Sequence, residues 1–273
     1  IVKNWTLSGG VMMYHTSFSD EDIRFFPSVA IAYRPATMWR LTASWGKAVR
    51  IPTFTDLWYT QETHTADESL QSEKSESLEL GADFRSRFFH AYLNGYLFWG
   101  RNVIDWVKEP ENSEAKWASW NHTRIHTQGL EMGFDWYIGE MAPVLGEETA
   151  LSISYARVNQ TGDAKQLISK YSTNYLRDKL TLRLHHTLLK GLTADWAFRA
   201  QKRMGTYEVF EDLKKTGDAA IPGYATMDLK LLYSFDHLKL FLNLNNLFNR
   251  TYFDFGNIPQ PGFWLTGGVS YAW

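Results

Sequence analysis

The chain has no cysteine in its 273 residues, which removes disulfide frameworks and Cys-ligated metal sites. Nor does it contain a run of about 18 apolar residues, so a membrane protein built from helices is excluded. A hydrophobic content of 44% and a mean hydropathy of −0.34 leave room for a different solution. In a membrane barrel half of each strand faces a polar lumen, and no segment need be apolar throughout. Charge of neither sign dominates: the net charge is −2 and the pI is near 6.5, which gives no reason to propose a nucleic-acid partner. No Gly/Ser linker or charge run marks a second domain. What the chain has in abundance is aromatic residues, 16% of the total with 12 Trp and 14 Tyr, as the interfacial girdles of a barrel require.

The clearest local signal lies at the end, from Lys239 to Trp273. In Lys239-Leu240-Phe241-Leu242-Asn243-Leu244-Asn245 every even position is leucine, while Lys239, Asn243 and Asn245 are odd. Only an extended strand with two unlike faces explains that period of two. The closing strand repeats it, with Phe263, Leu265, Val269, Tyr271 and Trp273 opposite Thr266, Gly268, Ser270 and Ala272. Long strands with aromatic ends are what a transmembrane barrel needs.

The same alternation recurs upstream. Trp5, Leu7, Val11 and Met13 mark a first strand, and Val29, Ile31 and Tyr33 a second. Trp39, Leu41, Ala43 and Trp45 form the outer face of a third, with Arg40, Thr42 and Ser44 opposite. A polar segment from Gly46 to about Ser75 follows. The next strands carry Leu78, Leu80, Ala82 and Phe84, then Ala91, Leu93, Leu97 and Trp99, ending near Val103. A Trp-rich loop holding Trp106, Trp117 and Trp120 is expected next. The following strand places Leu130, Met132, Phe134 and Trp136 outside and Glu131 and Asp135 inside. Ile138 to Glu148 reads as a turn, Leu151, Ile153 and Tyr155 as a strand, and Val158 to Asn174 as a loop. Leu180, Leu182 and Leu184 return, and Ala194, Trp196, Phe198 and Ala200 go out again to a charged loop from Lys202 to Pro222. Met227, Leu229, Leu231 and Tyr233 return, with Asp228 and Lys230 toward the lumen. Short turns thus alternate with long loops across about twelve antiparallel strands, the pattern of an all-β outer-membrane barrel. Arg40, Glu79, Asp83, Glu131, Asp135, Asp228 and Lys230 read as a solvated lumen lining.

Three stretches carry a family resemblance. Asn246-Leu247-Phe248-Asn249-Arg250-Thr251-Tyr252, followed by Pro261-Gly262, resembles the "NLFN-x-x-Y" and "PG" elements near the C-terminus of TonB-dependent outer-membrane receptors. Gly46 to Trp58, with Arg50, Pro52 and Leu57 in place, resembles a second motif of that family, approximately "G-x-x-F-R-x-P-x-x-x-x-L-Y", with Val49 and Trp58 replacing Phe and Tyr. Glu76 to Gly81 and Gly129-Leu130-Glu131 are similar to its "E-x-x-E-x-G" and "G-[VL]-E". Phe263 stands where the family usually has Arg. Members have roughly 22 strands around a folded plug, so the resemblance implies the C-terminal half of such a barrel over residues 1–273, without plug or energy-coupling box. It implies a site in the bacterial outer membrane with a periplasmic C-terminus, the surrounding lipid and a TonB complex as partners, and a terminal strand, through Tyr271 and Trp273, read by the barrel-assembly machinery. The implied activity is uptake of a large scarce nutrient, most like the cobalamin receptors, with ferric siderophore or haem as alternatives. It implies no enzyme and no resident cofactor.

Candidate ligand contacts are the aromatic residues of the external loops, because flat rigid rings bury large ligands at low entropy cost. They are Trp58 and Tyr59, Trp106, Trp117 and Trp120, Tyr207 and Phe210, and Phe253 and Phe255. Girdle or loop-packing roles compete for each. His122 and His126 share a strand face and read as an exposed extension rather than a metal pair. Asp20, Glu21 and Asp22 do not match a Ca²⁺-loop spacing. His185-His186 lacks a Ser or Asp at a recognisable catalytic spacing, which weighs against the alternative of a stand-alone barrel phospholipase. An autotransporter translocator is a further alternative, requiring the first and last strands to pair. The chain begins at Ile1 without a signal peptide and reads as a piece of a longer protein.

Overall fold

A computed structural model describes residues 3–15, 23–109, 115–162, 167–169, 175–212, 214–254 and 258–272. The chain opens with β1 (Trp5–Tyr14), β2 (Arg24–Tyr33) and β3 (Trp39–Arg50). A short helix α1 (Phe54–Trp58) and β4 (His64–Thr65) precede β5 (Glu73–Arg85), β6 (Phe89–Lys108) and β7 (Trp117–Trp136). Helix α2 (Ile138–Met141) and a 3-10 turn over Pro143–Leu145 lead to β8 (Ala150–Gly162), β9 (Ile168–Ser169), β10 (Leu176–Leu189) and β11 (Leu192–Arg203). Then come β12 (Thr206–Glu211), β13 (Lys214–Ala220), β14 (Tyr224–Phe235), β15 (Leu238–Asn245), β16 (Tyr252–Phe253), β17 (Pro259–Gln260) and β18 (Trp264–Tyr271).

Twelve of these strands hydrogen-bond in chain order in one sheet, β1-β2-β3-β5-β6-β7-β8-β10-β11-β14-β15-β18. Neighbours from β10 to β18 run antiparallel, as do β1 to β3. Tight turns make this order possible. Asp236, with φ of 45°, and Gly191, with φ of 81°, supply the left-handed residues of two short hairpins. Among the described residues no helix is long and apolar enough to cross a membrane. Contacts group the chain into two units, one of Ile1–Ala82, Asn94–Leu130 and Val158–Tyr175, the other of Asp83–Leu93, Glu131–Arg157 and Leu176–Trp273.

In the second unit, register turns alternation into continuous bands. Leu151, Leu184, Trp196, Leu229, Leu244 and Leu265 stand side by side on six neighbouring strands. One residue further along, on the opposite face, Ala150, His185, Asp195, Lys230, Asn243 and Thr266 form the matching polar band. His185 Nδ1 lies 2.6 Å from Asp195 Oδ1, and Asn243 Nδ2 donates to Thr266 Oγ1 at 3.2 Å. In the first unit Leu7, Ile31 and Ala43 line up on one face, with Ser8, Ala30 and Ser44 on the other.

The apolar bands are partly exposed: Leu151, Leu184, Trp196, Leu229 and Leu244 are half-buried among their strand neighbours, and β18 at the end of the sheet is open. Leu265 is 59% and Val269 68% exposed, and the buried hydrophobic cluster comprises Leu57, Leu70 and Ile104. A protein in water would have folded these leucines inward; an exposed band of this extent needs a hydrocarbon surround. Ala194, on the same face as Trp196, is fully covered by its neighbours.

Several expected boundaries move. Trp106, Trp117 and Trp120 are not in a loop, because β6 runs on to Lys108 and β7 begins at Trp117. Asn102, with φ of 54°, breaks the alternation in β6, which is why the strand reads as ending near Val103. β8 continues through Val158 to Gly162, and Ile168–Ser169 pairs with Lys108 and Val107 of β6. The stretch from Lys202 to Pro222 is mostly a hairpin of β12 and β13. The expected turn from Ile138 to Glu148 contains α2 and the 3-10 turn.

Leu242 and Asn243 are adjacent on β15 and face opposite ways, so they should answer differently to the same charge. Leu242→Arg is expected to cost about 2–4 kcal/mol of folding free energy in bilayers, whereas Asn243→Arg should cost less than about 1 kcal/mol by the same reasoning. Urea titration of the protein refolded into lipid vesicles measures both; equal losses would contradict the assigned faces.

Candidate functional site

In the first unit the site begins with a capped helix. Thr53 Oγ1 accepts from Asp56 N at 3.2 Å while the Asp56 carboxylate accepts from Thr53 N at 2.9 Å, a reciprocal capping box. Arg50 joins both ends of the long segment, pairing with Asp56 at 3.2 Å and Glu73 at 2.6 Å. Glu73 also accepts from the backbone N–H of Ile104 at 2.7 Å. Arg50 lies above the apolar band, and its pKa is raised, chiefly by the hydrogen bond to Glu73. Pro52 is buried, and Leu57 packs in the cluster with Leu70 and Ile104. A Cβ at Gly46 would meet the Ser28 side chain at 3.3 Å, so a small residue lets β2 and β3 approach there. The motif residues Gly46, Arg50, Pro52 and Leu57 are therefore the fastening of this segment.

Fastening α1 in this way turns its other face outward. Phe54 is 77% exposed and its ring lies 4.7 Å from that of Trp58. Tyr59 is also exposed and meets Trp106 edge-on at 6.4 Å and His64 at 5.5 Å, while His64 and Trp106 are 5.2 Å apart. Trp106 itself is buried, so it props the group from beneath. Trp117 pairs in register with His64, and its backbone N–H donates to Thr63 O at 3.0 Å. Trp120 is exposed on β7. Five expected contacts thus separate into an outward set, Trp58, Tyr59 and Trp120, and a supporting set, Trp106 and Trp117.

In the second unit the Asn246–Asn249 turn is a clasp. Asn246 is buried; its Nδ2 donates to Arg250 O at 2.7 Å and Pro261 O at 3.0 Å, and its Oδ1 accepts from Arg250 N at 3.1 Å. Its own N–H donates to Asp228 at 2.7 Å, and Leu247 N donates to Met227 O at 2.7 Å. Asn246 and Asn249 both take left-handed φ, 52° and 48°, a region that asparagine tolerates. Asn249 Oδ1 accepts from Phe263 N at 2.9 Å, and a Cβ at Gly262 would sit 2.4 Å from that oxygen. The Pro-Gly step is small because the clasp closes over it. Phe248 lies on the apolar side, 6.4 Å edge-on to Phe198.

Beyond the clasp, Tyr252 stacks on Tyr224 at 4.2 Å, with the Arg199 guanidinium 5.7 Å from each ring. Asp254 accepts from Tyr224 Oη and from Gln201 Nε2, the latter at 2.6 Å. Phe253 stacks on Tyr207 at 5.0 Å, joining this loop to the β12–β13 hairpin, on which Phe210 is exposed. Tyr271 is exposed at the end of β18. Phe255, Trp273, Asp20, Glu21 and Asp22 lie outside the described residues, as does the His122 side chain. His126 meets Trp99 edge-on at 5.5 Å. Among the described residues no group of three or more His, Cys, Asp or Glu side chains is placed to hold a metal.

Phe54 and His64 also belong to the aromatic set, and Arg199, Tyr224 and Asp254 anchor the last loop, beyond the residues expected from sequence. Phe54 was detectable: it stands four residues before Trp58, the spacing that puts two rings on one helix face. His90, which lies 2.6 Å from Asp83 and 3.2 Å from Asp135, is another such residue, since strand partners are distant in sequence.

These features define a class, the transmembrane antiparallel β-barrel with fastened loops. The family model described as "TonB dependent receptor-like, beta-barrel" matches residues 1–247, and the chain belongs to that family, whose barrels sit in the outer membrane. The vitamin B12 transporter BtuB of Photobacterium profundum is 22% identical over 248 residues, covering 87% of this chain and 36% of that protein. Among solved structures, the FrpB iron transporter of Neisseria meningitidis (F3-3 variant) superposes with a TM-score of 0.71 at 18% identity, covering 99% of this chain and 43% of its own. The copper transporter OprC gives 0.73 at 14% identity, covering 100% of this chain and 46% of its own. The chain therefore spans less than half the length of these relatives.

Two substitutions separate fastening from ligand contact. Asn246→Ala is expected to lower folding stability by about 2–3 kcal/mol, one net contribution near 1 kcal/mol for each side-chain hydrogen bond lost. Arg50→Ala should leave global stability nearly unchanged, while limited proteolysis between Ile51 and Ser72 becomes at least severalfold faster. An Arg50→Ala segment as resistant as the native one would show that the ion pairs do not hold it.

Proposed function

We propose that this chain is the C-terminal part of a TonB-dependent outer-membrane transporter that takes up cobalamin. The observation that carries the reading is the exposed ring pair of Phe54 and Trp58, presented with Tyr59 on a helix fastened by Arg50. Large rigid ligands are held by such preformed aromatic faces with little ordering cost. The likeness to a vitamin B12 transporter supports this choice of ligand. A ferric siderophore or haem is the alternative, and the likeness to an iron transporter and to the siderophore receptor PirA of Acinetobacter baumannii supports it.

In this reading the long segments face the exterior and the C-terminus lies in the periplasm. Energy comes from a TonB complex acting through an N-terminal part and plug that precede these strands. Tyr271 and Trp273 present the terminal strand to the barrel-assembly machinery during insertion. The residues here bind and orient: aromatic faces take the ligand at the rim, and the polar band lines its way inward.

The test is a binding titration of the full-length receptor with cobalamin and, separately, with a ferric siderophore. Cobalamin should bind, and Phe54→Ala/Trp58→Ala should weaken it by about tenfold or more, as loss of central aromatic anchors does. Tight siderophore binding with no cobalamin binding transfers the reading to the alternative, and an unchanged affinity in the double variant removes the ring pair from the site.

A further inference from the structure

In the first unit the segment that follows α1 is tied to the start of β7 at three points with a regular spacing. Trp117 N donates to Thr63 O at 3.0 Å, Asp67 N to Ser119 Oγ at 2.7 Å, and Gln71 N to Asn121 Oδ1 at 2.7 Å. The ties advance two residues at a time on β7 and four at a time on the segment. Four fit against two because the segment folds between ties: Gln61 and His64 exchange backbone bonds at 2.8 and 3.3 Å, and Asp67 Oδ1 accepts from Ser69 N at 2.8 Å. The tie at Asn121 does more than the others. Its Nδ2 donates back to Gln71 O at 3.0 Å and also to Asn102 O of β6 at 2.7 Å. Exchanging an N–H and a C=O with one residue is what a strand residue does with its antiparallel partner, so this carboxamide stands in for a peptide group. Asn102, the left-handed residue of β6, completes the junction by donating from its own Nδ2 to Gln71 Oε1 at 3.0 Å. One side chain thus joins β6, β7 and the segment, with its acceptor and its donors all engaged.

We propose that Asn121 is a positioning residue for the aromatic surface of Phe54, Trp58 and Tyr59, holding it in its binding arrangement before a ligand arrives. The inference deepens the proposed function and rests on it. The path is short: Gln71 is followed back along the chain by Leu70, which is buried with Leu57 of α1 and Ile104 of β6, and Leu57 stands next to Trp58. Arg50 fastens the helix from the β3 side, and Asn121 fastens, through Gln71 and Leu70, the chain that packs against it. A surface already in place carries no ordering cost on binding. Releasing it leaves only a fraction of molecules competent, and apparent affinity falls by that fraction. Such a loss appears in the association rate while dissociation is unaltered, because the contacts of the bound complex stay the same. Removal of a ring that touches ligand appears instead in dissociation.

Association and dissociation rates of cyanocobalamin and, separately, of ferric enterobactin are measured on the full-length receptor by stopped flow. With whichever probe binds, Asn121→Ala is expected to slow association about tenfold or more, with dissociation within about twofold of native. Asn121→Asp, which keeps the shape and the acceptor but neither donor, should slow association as well. Thr127→Ala removes a bond of β7 to Gln160 at 3.1 Å that does not involve the segment, and both rates should stay within about twofold of native. Hydrogen exchange read by mass spectrometry without any ligand should be at least about tenfold faster over Leu70 and Gln71 in Asn121→Ala. Native association in both Asn121 variants, a loss carried by dissociation, or equal slowing by Thr127→Ala would each overturn the inference. Faster exchange with native binding rates overturns the positioning role alone, whereas a native receptor that binds neither probe removes the function beneath it.

Discussion

A slip of one residue between neighbouring strands would turn Leu229, Leu244 and Leu265 inward and carry Asp228, Lys230 and Asn243 into hydrocarbon. Register is therefore the constraint on which everything else depends, because in lipid the backbone hydrogen bonds must be made between strands and side chains must match the solvent on each face. The six-strand leucine row and the polar row beside it are two expressions of that requirement. Turns such as Asp236-His237 set the register locally, and the bands hold it over the width of the sheet.

With the wall fixed by register, the family motifs take on a meaning different from ligand contact. Arg50, Pro52 and Leu57 fasten α1, and Asn246, Asn249 and Gly262 close the last loop over its own return. Each buries a few polar groups with full hydrogen bonding and leaves neighbouring rings outward. The fastening and the outward rings are therefore carried by different residues of the same short segment.

Alternation between lipid and lumen was legible wherever both solvents act on a strand, as at Lys239 to Asn245 and Leu130 to Trp136. It faded above the membrane, where both faces meet water and the period carries no penalty. That is why alternation alone ends β6 and β8 too early and makes Trp106 look like a loop residue. The bonds that shape the loops were illegible for another reason. Asp67 N donates to Ser119 at 2.7 Å and Gln71 N to Asn121 at 2.7 Å, joining positions about fifty residues apart that only the strand order brings together. The clasp at Asn246 is legible as a motif, but its purpose lies in the Asn249 oxygen that Gly262 has to clear.

β6 and β7 each run for 20 residues. At ~3.3 Å per residue and a tilt near 45° such a strand rises about 47 Å, roughly 20 Å more than the hydrocarbon layer. Tyr59 and Trp106 gather at the far end of that rise. On the proposed reading, a ligand held there would stand more than one Debye length, ~8 Å in physiological salt, from the charged bilayer surface. Anionic lipids would then exert almost no pull or push on an arriving molecule, and capture would be governed by the rings themselves whatever the charge of the cell envelope.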